Sequence, residues 1–257
     1  MRYIINADDY GLHESCSKAI AEAFSTYLIT DTTACANGDY YDDAIELAKI
    51  NGFADRIGIH FNITTGIPLT DKIRKVRLFC DSEGMFFRDQ NRYAHLNRDE
   101  KDALYSELMA QYSRLVESGI HVTHADSHHH IHTAPAYLSI FFQVFRECKI
   151  NKVRILRNIG NANPLKRCAV NLINGVCLKK EFITTDFFAE AGAYFNSPLT
   201  DKVGVAELMV HPDFDRDKGT LIDRSKYNEG KPIGKSFDSL RLFLQDKQND
   251  LLSYCKL

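Results

Sequence analysis

Short apolar runs alternate along this chain with segments whose apolar residues recur every three or four positions, and the alternation continues over most of its length. The runs predict strands over residues 2–6, 31–35, 56–61, 120–125, 152–156 and 204–210, with a further one at 181–184 before a loop at 186–188. The periodic segments predict helices over 15–27, with Ser15 as N-cap, then 41–49, 99–118, 135–147 with Pro135 in its first turn, 165–176 and 237–247. Residues 71–95 carry charge without either period and read as an insertion over a site or a surface excursion. Six or seven strands interleaved with helices favour a parallel sheet with crossover helices, either a barrel or a doubly wound sheet.

One positional pattern favours the barrel. Asp8-Asp9, His60, Asp126 with the histidines that follow it, and His211 each sit just beyond a predicted strand's C-terminal end. A closed β/α barrel brings all those ends to one rim, whereas an open sheet gathers two or three at its switch point. No repeat, low-complexity tract or linker marks a boundary, so one domain over residues 1–257 is expected.

Composition narrows the function classes. With 44% hydrophobic and 26% charged residues the chain has the makings of a globular core, and its net charge of −2 gives no electrostatic case for nucleic acid or an anionic membrane. No apolar run is long enough to span a bilayer, and the opening MRYIINADD lacks the apolar core of a secretory signal. Seven cysteines without a CxxC pair suit reduced thiols in a cytoplasmic protein.

The chemistry concentrates in THADSHHHIH at 123–132, which holds five of the ten histidines. Neutral imidazole is the commonest side-chain metal ligand near neutral pH, and Asp126 two residues from His124 and His128 could bind the same ion or fix a ring tautomer. A solvated loop is the bland alternative. Spacing does not choose among His124, His128, His130 and His132 as ligands. Asp8 and Asp9, adjacent on extended backbone, point in opposite directions and so divide roles, metal ligand and base, unless they only cap a turn. His60 could equally be a hydrogen-bonded core residue, and His211 a structural loop residue. Arg154 could reach the rim to orient Asp8 or a sugar hydroxyl, or be an exposed strand charge. Tyr10, Phe61 and Phe86 could stack on a sugar or lie in the core.

Four ordered motifs, NADDYG at 6–11, GIHFNIT at 58–64, the histidine run at 123–132 and ELMVHP at 207–212, resemble those of the YdjC-like carbohydrate deacetylases, which include the chitooligosaccharide deacetylases. The resemblance runs from residue 4 to about residue 214, departing at Tyr10, Ala125 and Asp213, where the family usually has Phe, Leu and Gly. It implies a barrel-like β/α fold of the glycoside hydrolase/deacetylase type, distorted or seven-stranded, that removes N-acetyl groups from amino sugars with one divalent metal. The implied ligands are Asp9, His60 and His128, with Asp8 as base and His211 as acid; Asp126, His130, Arg154 and Tyr10 are further residues near metal or substrate. Magnesium is the metal the resemblance implies, while the mixed nitrogen and oxygen donors suit Zn, Mn or Co. A homodimer is implied as well. The competing readings are another metal-dependent barrel enzyme, a phosphoesterase or sugar isomerase, and a non-catalytic metal- or carbohydrate-binding protein. A phosphoesterase is disfavoured because, apart from Arg154, the motif strands carry no basic clamp. A binding protein would have no use for a free carboxylate at Asp8.

Overall fold

A computed structural model describes residues 1–159, 164–196, 202–215, 218–224, 234–247 and 250–257. Its centre is a six-stranded, all-parallel sheet in the order β4-β3-β2-β1-β6-β5, built from β1 (Arg2–Tyr10), β2 (Asp31–Ala34), β3 (Ile57–Phe61), β4 (Ala125–Ser127), β5 (Phe187–Glu190) and β6 (Val205–Val210). The sheet curls into a half-barrel. Beyond β4 the chain adds only single bridges, Ala125 to Val153 and Lys152 to Ile183, and Asn158 N reaches Phe188 O on β5. Helices α1 (Glu14–Ser25), α2 (Tyr41–Ile50), α4 (Arg98–Glu117) and α5 (Leu138–Glu147) lie between the strands in sequence, following the short α3 (Asp71–Arg74) in the case of α4. A two-stranded antiparallel ribbon, β7 (Pro212–Phe214) with β8 (Leu221–Asp223), follows β6.

Several expected elements moved. The strand expected at 120–125 forms at Ala125–Ser127, and β1 continues through both aspartates to Tyr10. The strands expected at 152–156 and 181–184 are reduced to those single bridges, while β5 forms where a loop was expected at 186–188. The parallel sheet therefore has six strands among the described residues, not seven. Ser15 does not cap α1, whose N-cap is His13, and the helix expected from Pro135 begins at Leu138. By contrast α4 is closed at its start by a reciprocal pair: Asn97 accepts from Glu100 N, and Glu100 accepts from Asn97 N. The helix α6 (Pro164–Leu172) runs on into a π-helical turn at Ile173–Leu178 and a last turn, α7 (Lys179–Glu181). The short α8 (Ala191–Asn196) follows β5, and α9 (Gly234–Lys247) stands near the end.

Side chains alternate across β1 with period two. Tyr3, Ile5 and Ala7 join the main core under the helices, while Ile4 packs inside the curl with Val205, Leu252 and Tyr254. Residues 250–257 thus return to fill the inside of the half-barrel. Leu252 N donates to Tyr3 O at 2.8 Å, and Ser253 Oγ and Tyr254 N both donate to Asp31 Oδ1, at 2.8 and 3.0 Å. The 71–95 excursion is anchored at its base by buried Glu107 of α4, whose carboxylate accepts from Leu69 N, Thr70 N and the Thr70 hydroxyl.

Candidate active site

The register of β1 against β2 breaks between Ala7 and Tyr10, where Ala7 pairs with Thr32 and Tyr10 with Ala34, a bulge that falls on Asp8 and Asp9. Bulges of this kind re-aim side chains. Asp9 takes a left-handed φ of 72°, a conformation an Asp tolerates better than most residues. The two neighbours consequently face different partners.

Asp9 turns toward His60 and His128 and stays partly exposed, at 17%. Its Oδ1 lies 2.7 Å from His128 Nδ1 and 3.1 Å from His60 Nε2. The Asp9, His60 and His128 ligand atoms fall within 4.8 Å of one another. His60 is fixed from behind: Asp126 Oδ1 lies 2.6 Å from its Nδ1, and the Thr33 hydroxyl is 3.1 Å from the same nitrogen. Burial opposes charge on His60, but Asp126, Asp9 and Asp8 outweigh it and raise its pKa to about 10. Burial would likewise raise Asp9, yet His128 and His60 hold it well below the usual carboxylate range. A pocket that draws a proton in between a carboxylate and an imidazole also suits a cation.

Asp8 turns inward to Arg154, which is wholly buried. Arg154 Nη1 donates to Asp8 Oδ2 at 2.6 Å and Nη2 to Asp8 Oδ1 at 2.7 Å, a two-pronged grip. Nη1 also lies 2.5 Å from Asp126 Oδ2, and Nε donates to Glu207 Oε1 at 2.7 Å. Asn6 Nδ2 adds a bond to Asp8 Oδ1 at 2.9 Å. Burial works to raise the Asp8 pKa, but Arg154, with smaller help from His60 and His211, drives it down. Burial raises Glu207 to about 7 against the pull of Arg154 and of the Tyr254 hydroxyl. Three carboxylates, Asp8, Asp126 and Glu207, therefore crowd around one guanidinium with Asp9 adding a fourth negative charge beside Asp8, and a divalent cation at Asp9 fits that surplus.

A second set of groups that could hold an ion, Asp8, His60 and Asp126, shares His60 with the first. Its carboxylates are already committed to Arg154, and Asp126 holds His60 by the opposite ring nitrogen. Asp9, His60 and His128 are the better-suited ligands, and two imidazoles with one carboxylate leave positions open for water and substrate.

The other residues singled out by sequence divide sharply. His211 follows β6 directly, one position past the Ala7–Val210 pair, so it stands beside Asp8 on the neighbouring strand end; its Nδ1 is 4.0 Å from Asp223 Oδ1. Asp213 is tied to the Ser15 hydroxyl and to Arg224. His130 has φ 54° and sets its ring edge against Phe188, with Nδ1 lacking a hydrogen-bond partner among the described residues. Arg154 orients Asp8, as one of its two readings had it, but from a wholly buried position where its fork is taken up by three carboxylates. The expectation for Tyr10 near substrate needs correction. Tyr10 is fully buried, donates to Ala44 O and meets Phe53 edge-on, so it faces the helix-side core rather than a substrate. Phe61 and Phe86 are buried too.

Sequence reasoning overlooked the layer beneath. Neutral His124, held down to about 3 by burial, has Nε2 3.1 Å from Asn6 Oδ1, and its ring stacks flat on Tyr254 at 3.7 Å. His132 bonds Ser127 and the Arg154 carbonyl. Glu207 was inside a recognised motif but read only as strand.

These features define a parallel α/β half-barrel with two histidines and one carboxylate at the strand ends that could hold a cation. The family model for YdjC-like protein matches residues 2–249, and the chain belongs to that family. It is similar to a carbohydrate deacetylase of Clostridium beijerinckii, at 30% identity over 264 residues covering 99% of each chain. It is also similar to one of Brevibacillus brevis, at 28% over 259 residues covering 100% of each. Among solved structures, a protein of Enterococcus faecalis V583 with a proposed role in cellobiose-phosphate cleavage shares the fold, with a TM-score of 0.74 at 21% identity over 98% of this chain and 97% of that one.

Proposed function

We propose that this chain is, over residues 1–257, a metal-dependent carbohydrate deacetylase that hydrolyses the N-acetyl amide of an amino sugar to acetate and the free amine. The observation that carries the reading is the convergence of Asp9, His60 and His128 beside an Asp8 gripped by Arg154. The curated relatives named above support it.

Asp9, His60 and His128 would hold the cation. Bound there, a divalent ion supplies Lewis acidity, polarising the acetyl carbonyl and easing deprotonation of water. Asp126 keeps the His60 ring aimed by its far nitrogen. Asp8 Oδ1 already accepts from Arg154 and Asn6, whereas Oδ2 accepts from Arg154 alone, so Oδ2 keeps a lone pair for the proton of the attacking water. Because Arg154 holds Asp8 ionised, the base is ready at any working pH; its low basicity means that the proton moves only as the water oxygen bonds to carbon. His211, on the adjoining strand end, gives a proton to the departing nitrogen as the C–N bond breaks. Asp9, His128 and His211 are each partly exposed, which gives substrate an approach, and no helix among the described residues is long and apolar enough to cross a membrane. A phosphoesterase is disfavoured because Arg154, the basic residue beside Asp8, is committed to carboxylates.

The test is acetate release from N,N′-diacetylchitobiose by metal-stripped protein resupplied separately with Mg, Mn, Co or Zn. Release that needs a metal and is lost in Asp8→Asn and in His128→Ala is expected. Release that survives Asp8→Asn would remove Asp8 as the base, and no release with any metal from folded, metal-loaded protein would remove the substrate class.

A further inference from the structure

Two separate chains of contacts lead from Asp8 down into the half-barrel, and both end on the same residue. The first runs from Asp8 to Arg154, from Arg154 Nε and Nη2 to Glu207 Oε1 at 2.7 and 2.6 Å, and from Glu207 Oε2 to the hydroxyl of Tyr254 at 2.5 Å. The second runs from Asp8 Oδ1 to Asn6 Nδ2 at 2.9 Å, from Asn6 Oδ1 to His124 Nε2 at 3.1 Å, and from the His124 ring to the Tyr254 ring, parallel within 8° at 3.7 Å. We infer that Tyr254, far from Asp8 in sequence and touching none of the proposed ligands, is a positioning residue that holds the Asp8 carboxylate in register through both arms.

Each arm has a fixed polarity, which is what lets it transmit position. Asn6 Nδ2 donates to Asp8 and, at 3.2 Å, to Thr33 Oγ1, so its amide oxygen faces His124 and accepts from His124 Nε2–H. The other nitrogen of that neutral ring lies 2.8 Å from the Thr123 hydroxyl. Rotation of the ring is blocked on one side by Tyr254 and on the other by β3. A Cβ placed on Gly58 would stand 2.6 Å from both Cε1 and Nδ1 of His124, so only glycine at 58 leaves the ring its slot. In the first arm the phenol O–H donates to Glu207 Oε2 and, after Arg154, opposes the burial that raises the Glu207 pKa, so it favours the Arg-binding carboxylate form. A guanidinium pinned along its Nε edge by Glu207 presents Nη1 and Nη2 to Asp8 in one plane.

Tyr254 is itself anchored independently of the site. Its N–H donates to Asp31 Oδ1, its carbonyl accepts from Lys152 Nζ at 2.5 Å, and its ring is wholly buried with Ile4, Val205 and Leu252. The residues that return inside the curl thus serve as a strut as well as a filling.

This inference deepens the deacetylase reading and rests on it for kinetics, so its test carries one readout that needs no substrate. Tyr254→Phe keeps the ring stack and deletes only the O–H; Ser253→Ala removes a neighbouring tail bond to Asp31 and serves as the stability control. The guanidinium N–H signals of Arg154, assigned by their loss in Arg154→Lys, are followed by NMR in metal-free protein. We expect Tyr254→Phe to shift them and speed their hydrogen exchange by about tenfold or more, while Ser253→Ala leaves them in place even where it lowers Tm as far. In acetate release, kcat of Tyr254→Phe falls about tenfold with KM within about twofold. In a Glu207→Gln background the same change has little further effect, since the hydroxyl acts through that carboxylate. Unaltered Arg154 signals in Tyr254→Phe, or an equal change in Ser253→Ala, would overturn the inference. A wild type that releases no acetate would instead refute the deacetylase reading, leaving the spectra to decide the role of Tyr254.

Discussion

Arg154 and Asp8 meet fork to fork, two nitrogens on two oxygens at 2.6 and 2.7 Å, entirely out of solvent. Lysine offers one point charge where this geometry needs a plane. Arg154→Lys is expected to fold and bind metal but to lose about a hundredfold in kcat through misplacement of Asp8, with little change in KM. Arg154→Met leaves Asp8, Asp126 and Glu207 buried without their counter-charge and is expected to lose about 3–5 kcal/mol in urea denaturation. A full-rate Arg154→Lys enzyme would show that the fork is not needed.

Asp126 stands behind His60 rather than beside the metal site. Asp126→Asn is expected to weaken divalent-metal binding by about 10- to 100-fold, read by calorimetric titration without substrate. Unchanged affinity would restrict Asp126 to its pairing with Arg154.

The histidine run contains members with opposite duties, and two alanine variants separate them. His128 is partly exposed and its ring nitrogen meets Asp9, so His128→Ala is expected to abolish metal binding and cost the metal-free protein about 1 kcal/mol or less. His124 is fully buried between Tyr254 and Gly58 and bonded to Asn6; His124→Ala is expected to cost about 3 kcal/mol. Thermal melts with and without metal check both. The reverse pattern would exchange the assignments.

Asp31 gives the fold a pH dependence of known sign. Burial raises its pKa from 3.8 to about 6, over the opposing bonds from Ser253, Thr30 and Tyr254 N, and its Oδ2 lacks a hydrogen-bond partner among the described residues. A carboxyl with a raised folded-state pKa binds its proton in the native state first. Its stabilisation is therefore complete below about pH 4 and is lost as pH rises through 6. That loss amounts to about 3 kcal/mol for the shift involved. Asp31→Asn is expected to flatten this part of the curve and to match or exceed the wild type at pH 7.5 in urea denaturation. Parallel curves for the two proteins would mean that Asp31 is ionised across the range.

How much of this was legible beforehand depends on what each residue answers to. Asp8, Asp9, His60, Asp126, His128 and His211 could be gathered because each follows an apolar run, and strand ends share a rim in parallel α/β folds. The local bulge that separates Asp8 from Asp9 leaves no mark in the pattern, since a one-residue change of register is a tertiary event. Arg154 was noticed, and its link to Asp8 was one of its two readings, but its burial was not foreseen, although Val153-Arg154-Ile155 and Ala206-Glu207-Leu208 each set one charge inside an apolar run. Two opposite charges so placed in buried strands are signals that they pair with each other. Tyr254 gives no such sign: it belongs to no period, and its value comes from partners 47 to 223 positions away. The strands expected at 152–156 and 181–184 failed for a related reason, because the first meets its neighbours only at two isolated bridges, to Ala125 and Ile183, and the second only at one.

The return of residues 250–257 into the half-barrel also sets an order of events during synthesis. Asp31 and Tyr254 are joined across 223 positions, so the loop they close is nearly the longest this chain can make. A nascent chain can form β1, α1 and β2 early, since domains on the ribosome tend to fold from the N-terminal side. Asp31, however, waits as a buried acid without its donors, and Glu207 without its phenol, until residue 254 has cleared the exit tunnel. The candidate site residues, from Asp8 to His211, are thus all synthesised before Tyr254 can brace them from beneath.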